Sequence, residues 1–174
     1  AVHWELTYRC NEHCSHCYLD VLAPNDQAPG ELTTDECLRV VDELAALGVL
    51  HLSLSGGEML LRPDWFEIGK SARAHRLLLR LFTNGMLITP MIAERIAAVY
   101  PYIVEISIYG ADAKTHDAIT GVPCSFELSM RALELLHVHG VRTAFKTPLM
   151  RENIRQFHAL KDLAQATNSQ FRYG

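Results

Sequence analysis

Three cysteines fall within eight residues, Cys10-Asn11-Glu12-His13-Cys14-Ser15-His16-Cys17, directly after an apolar run, Val2 to Tyr8, that reads as a β-strand. Thiolates crowded on one loop can converge on a soft metal centre, and the spacing is too tight for disulfides among themselves to use all three. The fold must therefore present a strand end to a metal. Which metal turns on a fourth ligand. A closed structural zinc site takes four protein ligands, and an ordinary four-iron cluster takes four cysteines. Cys37 and Cys124 are solitary, so no second pair completes either set. With three thiolates alone, a four-iron cluster would keep one iron open to a small molecule. His13 and His16 lie between the cysteines, and either could ligate as histidines do in Rieske-type centres.

The rest of the chain alternates strands and helices. Thr33-x-x-Glu36 is a capping-box pattern that opens a helix with Cys37, Val41, Leu44 and Ala45 on one face, and Gly48 stops it. The strand Val49 to Ser55 ends at Gly56-Gly57-Glu58, where two glycines let backbone approach a ligand closely and Glu58 offers an acceptor for an ammonium. Pro63 and Asp64 begin a helix through Ala74. Leu77 to Phe82 is a third strand, apolar enough to be buried on both faces, closed by the turn residues Thr83-Asn84-Gly85. Thr89 and Pro90 start a helix to about Val99. In the strand Tyr102 to Tyr109, Val104, Ile106 and Ile108 should face a layer of helices, which turns Glu105 and Ser107 inward, where a polar pair needs a partner.

A short helix then carries His116 and Asp117, read as a structural hydrogen-bonded pair. Ser125 opens a helix to Gly140 on which Arg131 stands out against apolar neighbours. Val141 to Thr147 is a fifth strand, followed by Lys146-Thr147-Pro148-Leu149 at its end, then a helix capped by Asn153, and Gln170 to Tyr173 begins a sixth strand. Units recurring about every 25 to 45 residues imply a parallel sheet with right-handed crossovers.

Composition sets the compartment. The 174 residues suit one domain, and a net charge of -4 without runs of like charge gives nucleic acid no footing. No stretch has transmembrane length or the form of a signal peptide, and five cysteines, an odd number, point to a reducing compartment. The expectation is a cytoplasmic protein with no membrane partner. The chain opens on Ala1 and ends at Gly174 just as a strand begins, which reads as an incomplete domain.

Cys-x3-Cys-x2-Cys at the end of a first strand resembles the radical S-adenosylmethionine (radical SAM) enzymes. The stretch from Gly110 to Phe126, with His116-Asp117, Thr120-Gly121 and Ser125-Phe126, is similar to the peptide-modifying branch that often carries a SPASM or Twitch domain. Cys124 departs from it, standing where glycine is usual. The resemblance implies an α/β fold, a partial (β/α)6 TIM-like barrel cut near the start of strand six, spanning residues 1–174 as an incomplete core domain. It implies a [4Fe-4S] cluster on Cys10, Cys14 and Cys17 whose open iron is chelated by S-adenosyl-L-methionine, cleaved on reduction to a 5′-deoxyadenosyl radical. Cofactor contacts are implied for Gly56, Gly57 and Glu58 at the amino group, Ser107 and Arg131 at the carboxylate or ribose, His16 and Leu149 near the adenine, and Asn84. An internally bonded Ser107 and an exposed ion pair for Arg131 remain open alternatives. The substrate implied is a peptide side chain, with a small molecule as runner-up, and a one-electron reductant such as flavodoxin or ferredoxin is needed. A non-catalytic iron-sulfur electron carrier and a zinc-binding module are the readings from other classes.

Overall fold

The computed structural model describes residues 1–173 and contains one six-stranded sheet, entirely parallel, with the strands in chain order. They are β1 Val2–Glu5, β2 His51–Ser55, β3 Leu78–Thr83, β4 Ile103–Ser107, β5 Thr143–Thr147 and β6 Gln170–Tyr173. The helices between them are α1 Thr34–Ala46, α2 Trp65–Ala74, α3 Pro90–Ala98, the consecutive pair α4 Ala113–Thr120 and α5 Ser125–Val138, and α6 Phe157–Ala166. Strands that advance one place at a time in the same direction make a barrel wall, whereas a doubly wound sheet reverses its order. Among the described residues β1 and β6 do not pair with each other, so the wall is an open (β/α)6 arc.

Strand parity divides the two faces. Leu52, Leu54, Leu79, Leu81, Val104, Ile106 and Phe145 point to the helices and are fully buried, packed with Val41, Ile68, Ala72, Ile96, Leu133, Leu136 and Leu160. The residues alternating with them along the strands, Ser53 in register with Arg80 and Glu105 with Ala144 and Gln170, take the other face, which is largely polar. β3 thus departs from the doubly apolar strand expected: Arg80 and Phe82 stand half-buried on the inner face.

Local signals explain most boundaries. Thr33 and Glu36 form the full capping box on α1, and Thr89 accepts from Ile92 N ahead of Pro90 on α3. β1 is shorter than the Val2 to Tyr8 expected. Leu6 N still donates to Ser55 O at 2.9 Å, after which the chain leaves the ladder and Arg9 bridges to Leu22. Asn153, expected as a helix cap, serves the preceding loop instead: its Oδ1 accepts from Met150 N at 2.8 Å and its Nδ2 donates to Pro148 O at 2.9 Å. The chain then makes a 3₁₀ turn, Ile154–Gln156, before α6.

Candidate metal and cofactor site

The cysteine loop is gripped from two sides. His13 N and Ser15 N donate to the carbonyls of Thr120 and Ile119, the last residues of α4, at 3.0 and 2.9 Å. Cys10 N donates to Leu22 O at 2.9 Å, and Cys17 N closes a turn onto Cys14 O at 3.0 Å. α4 is held in turn by Asp117, whose carboxylate accepts from Cys124 N, Ser125 Oγ and Phe126 N at 2.7, 2.9 and 2.9 Å. His116 accepts from Tyr109 N through Nδ1 at 3.0 Å. The two residues are therefore structural, as expected, but each bonds elsewhere rather than to the other.

Gly56-Gly57-Glu58 closes the other side. Gly57 N and Glu58 N donate to Thr7 O and Arg9 O, both at 2.8 Å. A Cβ on Gly57 would sit 2.5 Å from Arg9 O and 3.0 Å from Cys10 Cβ, so glycine is needed here for the cysteine loop to lie against the strand end. Glu58 is 1% exposed. Its carboxylate takes Leu60 N at 3.0 Å, Asn84 N at 2.8 Å and the Thr83 hydroxyl at 2.9 Å. Burial raises its pKa while these donors pull the other way. Gly56 and Gly57 line the cavity, while the Glu58 carboxylate takes these three donors from β3, its turn and Leu60.

That cavity, about 390 Å³, opens at the C-terminal strand ends and is lined by Cys10, Cys14 and Cys17 together with His16, Gly56, Gly57, Asn84 and Ser107. Asn84 bridges the site, its Nδ2 donating to Asn11 Oδ1 at 2.9 Å while Ser129 Oγ donates to its carbonyl at 2.6 Å. His16 packs edge-on to Tyr109 with ring centroids 4.5 Å apart, and its buried Nδ1 has no partner among the described residues. Burial lowers the His16 pKa.

Two expected contacts fall outside. Arg131 is exposed, because α5 turns Ser129, Ala132, Leu133 and Leu136 inward and leaves Arg131 on the opposite side. Leu149 is half-buried but off the cavity wall, where Pro148 and Lys146 stand instead. Glu105 did find the partner its burial demands, in Arg80 of the adjoining β3 and Arg172 of β6, one strand beyond β5. Sequence reasoning missed Tyr109, Phe82, His3 and Lys146 as lining residues. Parity would have given Lys146, since Phe145 and Thr147 must face the helices.

The chemistry of the donor set suits an iron-sulfur cluster. Burial pushes the Cys10 thiol up to about 12 and raises Cys14 further, beside Glu12, whose carboxyl burial lifts to about 7. Cationic iron offsets that penalty, because a bound metal favours the thiolate. Among the described residues no three His, Cys, Asp or Glu side chains converge on a single point. A cluster places each thiolate on a different iron and needs no such point. Cys37 is buried on the core face of α1 and Cys124 is exposed at the start of α5, so neither is a fourth ligand.

Residues 4–164 match the model of the radical SAM superfamily. Mycofactocin maturase MftC of Mycobacterium tuberculosis is 38% identical over 172 residues, 98% of this chain and 41% of the relative. An AdoMet-dependent heme synthase of Methanosarcina barkeri is 39% identical over 163 residues, 93% of this chain and 46% of the relative. The structure of Streptococcus suis SuiB bound to precursor peptide SuiA superposes with a TM-score of 0.85 over 98% of this chain and 38% of SuiB, at 17% identity, a likeness of fold. The chain spans less than half the length of these relatives. With its motifs on the cavity and the family model matched along nearly its whole length, the chain belongs to the radical SAM superfamily.

Proposed function

We propose that this chain holds a [4Fe-4S] cluster on Cys10, Cys14 and Cys17, binds S-adenosyl-L-methionine in the adjoining cavity, and acts on a peptide substrate. The observation that carries this is the set of three thiols opening together on a cavity at the strand ends, with no fourth cysteine near. When bound, the reduced cluster and S-adenosylmethionine supply a carbon radical able to remove hydrogen from an unactivated position. The protein's part is placement. The backbone of Gly56 and Gly57 borders the cluster loop on the side suited to an amino group. Ser107 and Asn84 offer polar contacts along the wall, and the His16 ring, with an unused nitrogen, offers a packing surface for the adenine.

A maturase among the relatives and a neighbour bound to a precursor peptide support the peptide reading. The heme synthase relatives, at comparable identity, keep a small-molecule substrate as the second reading. A flavodoxin or ferredoxin is the reductant we assign. Among the described residues no helix is long and apolar enough to cross a membrane, and five free cysteines suit a reducing cytoplasm. The test is anaerobic reconstitution with iron and sulfide, followed by reduction with S-adenosylmethionine and chromatography for 5′-deoxyadenosine. Formation that disappears in the triple Cys10/Cys14/Cys17→Ala variant supports the proposal. A loaded wild-type protein that forms none contradicts it.

A further inference from the structure

Two cations on the inner wall share one carboxylate. Glu105 of β4 is 1% exposed, and its Oε1 accepts from Arg80 of β3, through Nε at 3.1 Å and also through Nη2, and from Nη1 of Arg172 of β6 at 3.1 Å. Ala144 of β5 stands in register with Glu105, and its methyl group leaves the room through which Arg172 reaches across a strand. Neither arginine pairs with another carboxylate among the described residues, so the group carries one positive charge more than it neutralises. It is also open. The side chains of Arg80 and Arg172 are 29% and 33% exposed, on the face of the wall opposite the helices.

Position ties this group to the cavity. The Arg80 guanidinium stands over the Phe82 ring, 5.4 Å from its centroid, and Arg172 is in register with Lys146; Phe82 and Lys146 both line the cavity. Residues two places apart on a strand are separated by about 6.6 Å, so Arg80 lies one layer of side chains beneath the cavity wall. A surplus cation half out of water is stabilised by an anion, and a guanidinium takes a carboxylate through parallel hydrogen bonds. The chain as a whole carries -4, so the positive wall is a local feature.

We propose that Arg80 and Arg172 recognise an acidic side chain of the peptide substrate, an aspartate or glutamate close in sequence to the residue that reacts. The inference rests on the proposed function and narrows its substrate class. Glu105 holds the two guanidiniums in place on the inner wall, and the substrate carboxylate meets the charge that Glu105 leaves over.

The test uses the full chain with its cluster reconstituted and S-adenosylmethionine added. Fluorescence anisotropy follows the binding of labelled decapeptides that alternate glycine with aspartate, asparagine or lysine, for wild type, R80Q, R172Q, R172K and R39Q. Wild type should take the aspartate peptide about 10-fold more tightly than the asparagine peptide, take the lysine peptide most weakly, and lose the preference as salt rises. R80Q and R172Q should each remove most of the preference, and R172K should keep most of it. R39Q, changed on the exposed side of α1, should match wild type. If R80Q fails to fold, R172Q and R172K decide, because Arg172 lies on β6 at the edge of the sheet. Wild type that binds the aspartate and asparagine peptides equally, or binds neither, overturns the inference, and so does a preference that survives loss of the arginines. Formation of 5′-deoxyadenosine on reduction is assayed in the same samples. Its absence from loaded wild type overturns the proposed function, whereas its presence in R172Q without the aspartate preference supports the inference as a matter of substrate recognition alone.

Discussion

Cys124 occupies backbone that suits glycine, with φ of 63° at the junction between α4 and α5. A side chain in the left-handed region costs about 1 kcal/mol, and this one is exposed; only its backbone bonds, the N–H to Asp117 and the carbonyl from Leu128 N. Cys124→Gly should therefore raise Tm by about 3 °C, with cluster loading unchanged; a fall in Tm would assign the thiol a packing role. His116 makes the opposite kind of statement. It is fully buried, and burial depresses its pKa to about 4 from 6.5. The unfolded chain takes up that proton between pH 6.5 and 4 while the folded chain does not, so stability falls as pH drops through this window, by about 3 kcal/mol in total. His116→Asn keeps an acceptor for Tyr109 N and cannot titrate. Its Tm should decline less than that of wild type between those pH values, and parallel curves would refute the assignment.

Among elements, the contact between β2 and the cysteine loop is the most demanding. Gly57→Ala places a methyl group against Arg9 O and Cys10 Cβ, backbone and ligand together. We expect a loss of at least about 2 kcal/mol and reduced iron per chain after reconstitution. Gly30→Ala, where a Cβ meets nothing within 4 Å, should cost stability through its φ of 83° and leave iron content intact. Equal iron content in the two variants would remove the loop from the account. Element boundaries were readable where a side chain bonds its own helix start, as Thr33 and Thr89 do. They were misread where a residue with capping chemistry bonds backward, as Asn153 does to Met150 and Pro148. Nothing local in the sequence distinguishes a side chain that bonds the following turn from one that bonds the preceding loop.

For the molecule as a whole, the arc of strands and the location of the site were legible because each motif ends a strand, and parallel strands in a barrel wall bring those ends to one face. Less legible was which polar side chain meets which. Glu58 is filled by donors from β3 and its turn, Glu105 by arginines from two other strands, and Arg131 is turned out by the phase of α5. Each of these depends on register between elements far apart in sequence. The cysteine loop ties β1, β2 and α4 together, so a cluster that binds only the folded chain should raise the global Tm, by about 10 °C over the apo protein, and chelation should reverse it. An unchanged Tm on loading would mean that the cluster sits on a loop uncoupled from the fold.

The most direct measurement is electron paramagnetic resonance of the reduced, reconstituted chain before and after S-adenosylmethionine, with iron and sulfide assayed on the same sample. The account requires about four iron and four sulfide per chain and a reduced-cluster spectrum that changes when S-adenosylmethionine is added. Zinc without sulfide, or a four-iron spectrum indifferent to S-adenosylmethionine, would contradict it.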